Sequence, residues 1–164
     1  MLFLPIVSLQ LSPQLPVSRL LSDAGFKLIP QKQTEPQTGS LWKLYRRETD
    51  KASLTIGTST HPTQEVAQRF WSAGQALSSG FQTKPKMLES GKGIGDKWIY
   101  DARKGAGGIF LDFVSDRFLC RVWVEYFGIK EEHGYRRDDT NLASDRKLVE
   151  AIGRQLIVEQ AIKP

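Results

Sequence analysis

The densest run of chemistry-bearing residue types is Gly91, Gly93, Gly95 and Asp96. A phosphate-binding loop needs backbone N–H groups fanned around an anion, with glycines at fixed positions between a strand and a helix. The glycines here follow neither the G-x-G-x-x-G nor the G-x-x-x-x-G-K-[ST] spacing. They predict an irregular entry to a strand, with positive φ at glycine and Asp96 closing a turn by accepting backbone hydrogen bonds. Ser144 to Lys147 reads S-x-x-K, a nucleophile spacing, but the S-D-N and K-T-G elements that complete that chemistry are absent. Ser144 therefore reads as a residue of a helix start, where it or Asn141 would be the cap. His61 precedes Pro62 at a helix start, and His133 lies in a charged segment with no partner that the sequence names. The carboxylate pairs Glu131-Glu132 and Asp138-Asp139 flank Arg136-Arg137. Neighbours on an extended chain point apart, so adjacency does not converge them on a metal or a proton. Two histidines and one cysteine, Cys120, are too few for the usual zinc ligand sets. Neither a metal nor any other cofactor is expected.

Aromatic and cationic residues interleave at Trp42, Lys43, Tyr45, Arg46 and Arg47, and again at Lys97, Trp98, Tyr100, Arg103 and Lys104. Exposed aromatics flanked by cations stack and neutralise single-stranded nucleic acid. The same pattern describes a half-buried strand with a charged edge, and no RNP-type motif accompanies it. It also suits a small amphipathic ligand held between sheet and helix. The candidate ligand-binding residues are Trp42, Trp98, Asp96, Arg103 and Trp123. Should the protein be an enzyme, its dispersed polar candidates are Asp96, Asp101, Arg103 and His133.

The elements that must position these residues follow from periodicity. Val17, Leu20 and Leu21 share a helical face ended by Gly25. A short strand covers Phe26 to Ile29, and a polar, proline-interrupted loop spans Gln31 to Ser40. Alternation predicts a hairpin from Leu41–Arg47 and Ala52–Thr58 around the turn at 48–51. Val66, Phe70, Ala73 and Leu77 recur at helical spacing between Pro62 and Gly80. Trp98–Ala102, Ile109–Val114 and Phe118–Phe127 are aromatic and β-branched, and predict three antiparallel strands. In the last, Phe118, Cys120, Val122, Val124 and Tyr126 should face helices, while Arg121 and Trp123 face outward. Lys130 to Asn141 lacks apolar periodicity and reads as a surface loop. A helix from about Ser144 to Ile162 closes the chain. Short hairpins between strands exclude parallel βαβ winding. The expected fold is α+β: a single antiparallel sheet with helices packed on one face. The two strand-then-helix halves suggest a diverged pair.

With 164 residues, 40% hydrophobic and 25% charged, the chain has the composition of one globular domain, and its net charge is +5. No apolar run is long enough for a transmembrane helix. The opening MLFLPIVSLQL lacks the basic region and cleavage site of a signal peptide. Residues 1–15 are accordingly expected to be a leader remnant or extension, with one α+β domain over 16–164.

The stretches GIGDKWIY and GGIFLDFVSDRFLCRVWVEY within Gly93 to Tyr126, preceded by LLSDAGFKL at Leu20 to Leu28, resemble a recurrent pattern in small exported bacterial domains of uncharacterised function. There a G-x-G-D turn leads into a three-strand meander. The resemblance implies an exported or surface-associated, helix-backed sheet and carries over no catalytic residue. Together with the missing catalytic motifs it leads to the expectation of a non-enzymatic binding or accessory domain, periplasmic or secreted, whose partner is a protein or a small ligand. If the opening segment is instead part of the fold, the location becomes cytoplasmic. The alternatives are an enzyme with dispersed site residues and a single-stranded nucleic-acid-binding domain.

Overall fold

The computed structural model describes residues 15–30, 40–78, 94–101, 108–126, 129–131, 134–136 and 140–161. Its elements are α1 (Val17–Asp23), β1 (Lys27–Ile29), β2 (Ser40–Arg47), β3 (Ala52–Thr60), α2 (Gln64–Ser78), β4 (Lys97–Asp101), β5 (Gly108–Ser115), β6 (Phe118–Tyr126), β7 (Ile129–Glu131), β8 (Gly134–Arg136) and α3 (Leu142–Ala161). The six strands β1 to β6 form one antiparallel sheet of order β1-β2-β3-β6-β5-β4, so the expected α+β class holds. Each half is a three-stranded meander joined by hairpins and later followed by a helix. The halves meet at the sheet centre, where Ile56 of β3 stands opposite Val122 of β6.

Local chemistry explains where elements stop. Gly25 ends α1 with φ +80, and the N–H groups of Gly25 and Phe26 donate to the carbonyls of Ser22 and Leu21. That pair of bonds is a Schellman cap, which needs a residue that tolerates the left-handed region. At the start of α2, the Thr63 hydroxyl accepts from the Val66 N–H at 3.2 Å.

Alternation decides the core. Leu54 and Ile56 of β3, Ile109, Leu111 and Phe113 of β5, and the set Phe118, Cys120, Val122, Val124 and Tyr126 of β6 are all buried in one cluster with Val17 and Leu21 of α1 and Val149, Ile152 and Leu156 of α3. Helix cover on this face thus comes from α1 and α3. Gly153 lets α3 approach β5 closely, because a Cβ there would stand 2.7 Å from a methyl of Leu111. The Cys120 thiol lies inside this cluster, and burial, helped by the nearby Asp112, pushes its pKa well up. It is an unreactive core side chain.

Three expectations need correction, the first being that the helices pack on one face: α1 and α3 cover the main-core face, and α2 lies against the other. The stripe Val66, Phe70, Ala73 and Leu77 is not the contact face of α2: Phe70 is 61% exposed, whereas Ala67 is fully buried. Helix α2 packs on β5 and β6, and Val114, which alternates with Phe113 and points away from the main cluster, is fully buried too. Small Ala67 permits that close approach. Phe70 is turned outward and stacks on His61 with ring centroids 4.8 Å apart. The side chain of Leu77 lies outside the described residues. The expected surface loop from Lys130 to Asn141 also contains regular structure, since β7 and β8 pair antiparallel with Lys130 opposite Tyr135. Backbone hydrogen bonds suffice for so short a hairpin, so no apolar alternation announces it.

Candidate functional site

The candidate binding residues fall in three places. Trp42 and Trp123 lie on the sheet face away from the main core, 50% and 41% exposed. The register sets Trp42 opposite Gly57 and Trp123 opposite Thr55, so only small residues separate them. The Trp42 ring lies over Gly57, where a Cβ would come within 2.4 Å of it. Trp98 is on the other face, half-buried against the core cluster. Arg103 lies outside the described residues, as does His133. Alternation likewise divides the cationic run of β2: Trp42 and Arg46 face outward, while Lys43, Tyr45 and Arg47 are on the helix-covered side.

Asp96 sits in the turn before β4. Its Oδ2 accepts from the Asp116 N–H at 2.8 Å and from Gln64 Nε2 at 3.2 Å, and its own N–H donates to the Val114 carbonyl at 2.7 Å. Preceding it, Gly95 has φ +67 and packs so closely that a Cβ would meet the Val114 oxygen at 2.5 Å. Gly95 and Asp96 thus close the expected turn and tie it to the β5–β6 hairpin, while Gly91 and Gly93 lie outside the described residues. Asp96→Ala is expected to cost about 1 kcal/mol in urea unfolding, because it frees the Asp116 N–H at a residue with φ 50; an unchanged midpoint would refute the tie. Asp96, just before β4, and Asp101, the last residue of β4, are separated by roughly 17 Å along an extended strand.

A charge cluster that the motif reading did not find lies deeper. Arg47, at the inward end of β2, donates through Nε and Nη2 to the Asp50 carboxylate at 2.9 and 2.6 Å, and through Nη1 and Nη2 to that of Asp145 at 2.8 and 2.6 Å. Tyr126 donates to Asp145 at 2.7 Å, and Asn141 Nδ2 to Asp50 at 2.8 Å. The guanidinium stacks over Phe26, 4.5 Å from its ring centroid. Burial disfavours the Arg47 charge, but the hydrogen bonds to Asp145 and Asp50 outweigh it and raise its pKa. Burial also works against the Asp50 charge, and the bonds from Arg47 and Asn141 hold its carboxyl below the ordinary value. Burial and the bond to Asp145 push the Tyr126 phenol up. With the side chains of Arg47, Asp50 and Asp145 only 9%, 4% and 2% exposed, this cluster ties the β2–β3 turn, β6 and the start of α3 together. A signal for it exists in the sequence: Arg47 occupies an inward position of an alternating strand, where a charge demands a partner.

The described residues also enclose a cleft of about 470 Å³ between the helices and the β2–β3 hairpin, within the roughly 300–1,000 Å³ of small-molecule sites. Val17 of α1, Ile56 of β3 and Leu156 of α3 give it apolar walls. Lys43 and Tyr45 of β2 and Gln155 and Glu159 of α3 bring polar groups to it. Burial raises the Tyr45 pKa, which keeps its hydroxyl a donor. Glu159 Oε1 accepts from the Val17 N–H at 3.0 Å and from Gln155 Nε2 at 3.4 Å, bracing α1 against α3. Sequence reasoning singled out Lys43 and Tyr45 in a run suited to a helix–sheet ligand but missed Gln155 and Glu159, because the cleft depends on how α3 crosses a hairpin a hundred residues away.

Among the described residues no group of three or more His, Cys, Asp or Glu could hold a metal ion, and no helix is long and apolar enough to cross a membrane. No family model, no curated protein and no solved structure matches the chain.

Proposed function

We propose that this chain is a non-enzymatic binding or accessory domain that holds a small amphipathic ligand in the cleft between α1, α3 and the β2–β3 hairpin. The cleft itself carries the proposal: it combines apolar walls from α1, β3 and α3 with polar groups from β2 and α3, which is the make-up of a ligand pocket. Of the candidate acid–base residues, Asp96 is committed to closing a turn. The proposed setting, the bacterial envelope or secreted fraction, rests on the resemblance of the G-x-G-D turn and its meander to exported domains, and fractionation of cells making the endogenous protein tests it.

A ligand that binds only the folded chain raises its stability by about 2.7 kcal/mol at a hundred times Kd. A thermal-shift panel of small amphiphiles is expected to yield such a response. Thr58 lines the cleft, and Thr58→Trp should abolish the response while leaving the unliganded transition cooperative. A panel without a hit, or a hit that Thr58→Trp leaves intact, rejects the reading.

A second reading is favoured by the exposed Trp42 and Trp123, which share their face with Arg46 and suit stacking of single-stranded nucleic acid. It predicts oligonucleotide binding that weakens steeply with salt. Binding that is absent, or indifferent to salt, eliminates it.

A further inference from the structure

The cleft has opposite charges on opposite walls. Lys43 projects from β2 on the sheet side, and Glu159 from the last turns of α3 on the helix side; both line the same space. They do not pair with each other: the Lys43 side chain has no hydrogen bond or ion pair among the described residues. Glu159 is braced through Oε1 alone, by the Val17 N–H and Gln155. Its Oε2 has no partner among the described residues. The same space is also lined by the apolar side chains of Val17, Ile56 and Leu156. A purely anionic amphiphile would meet Glu159, and a purely cationic one would meet Lys43. Only a ligand with both charges, spaced by an apolar body, satisfies both walls.

We infer that the cleft binds a zwitterionic amino acid or dipeptide with apolar side chains, its carboxylate at Lys43 Nζ and its ammonium at Glu159 Oε2. The inference rests on the cleft being the binding site, and it adds the chemical class of what binds. The Tyr45 hydroxyl and the Gln155 amide, the latter bonded to Glu159 Oε1 at 3.4 Å, also line the cleft and supply neutral groups to orient the peptide unit.

The probe is the dipeptide Leu-Leu, titrated calorimetrically into the full chain beside N-acetyl-Leu-Leu, which lacks the ammonium, and Leu-Leu amide, which lacks the carboxylate. Each blocked form is expected to bind about fivefold more weakly, the size of a partly solvated ion pair. Lys43→Gln should weaken Leu-Leu about fivefold yet leave the amide unaffected, because that form has no carboxylate to lose. Glu159→Gln, which keeps an oxygen for the Val17 N–H, should weaken Leu-Leu and leave the acetylated form unaffected. Lys43 is exposed, so its variant folds and the test stands even if Glu159→Gln loosens α1. Equal binding of all three forms, or preference for dodecanoate or dodecyl maltoside over Leu-Leu, overturns the zwitterion inference and leaves the cleft reading standing. Failure of every compound to bind overturns both.

Discussion

Arg47→Ala is expected to lower the unfolding free energy by about 3–5 kcal/mol, the cost of breaking a buried ion pair from one side. The substitution leaves the Asp50 and Asp145 carboxylates facing each other with less than a tenth of either side chain exposed, and also removes the stack on Phe26. Arg47→Lys should recover little of the loss, because one ammonium cannot serve two carboxylates with four directed N–H bonds. Urea denaturation checks both. The pH dependence follows from the same cluster. The Asp50 carboxyl is held below its ordinary value in the folded chain, so on acidification the unfolded chain takes up its proton first. The stability it contributes is whole above about pH 4 and falls as the pH drops further. At the alkaline end the Tyr126 phenol is raised above its ordinary value of 10.0. Its contribution is complete below about pH 10 and declines as the pH rises beyond, because the unfolded chain then ionises more readily. Tyr126→Phe should remove that alkaline slope, and Arg47→Ala should flatten the acidic one. An Arg47→Ala protein within about 1 kcal/mol of wild type would mean that the cluster is solvated in solution.

Phe113→Ala should cost about 3–5 kcal/mol, whereas Phe70→Ala should cost less than about 1 kcal/mol. Periodicity gives the two phenylalanines the same standing, each on the apolar side of its element. In the fold Phe113 is fully buried, packs edge-on to Phe118 with centroids 6.1 Å apart, and lies 3.5 Å from where a Cβ on Gly153 would be. Truncating it opens a cavity under α3 that neither β5 nor the helix can close without breaking sheet pairing. Phe70 gives up only its contact with His61. Comparable losses for the two variants would show that α2 sits on its Phe70 side after all, with Ala67 outward.

Much of this architecture was legible. Strand β5 announces itself through a run of aromatic and aliphatic residues and β6 through alternation, and in β6 the inward set from Phe118 to Tyr126 matches the buried residues position by position. Asp96 was legible as a turn-closing residue, because glycine and aspartate carry turn chemistry wherever they stand. Helix α2 was legible as a helix but not in its rotation: its apolar residues are sparse enough that two faces compete, and the small Ala67 face wins by fitting closest to the sheet. Of the binding candidates, alternation by itself could have set Trp42 apart from Lys43 and Tyr45. It could not have told which face α1 and α3 would take and which α2.

The sequence by itself determined the kinds of element, the hairpin connections, and hence an antiparallel α+β fold, because propensity, alternation and turn chemistry act between residues a few positions apart. Only the tertiary structure decided that the two meanders meet through β3 and β6, that Trp42 and Trp123 share an open face, that Arg47 finds Asp145 98 residues away, and that Lys43 and Glu159 confront each other across a cleft. Those outcomes depend on which faces bury the most apolar surface when distant elements dock. That quantity belongs to the packed chain and is written in no local stretch of it.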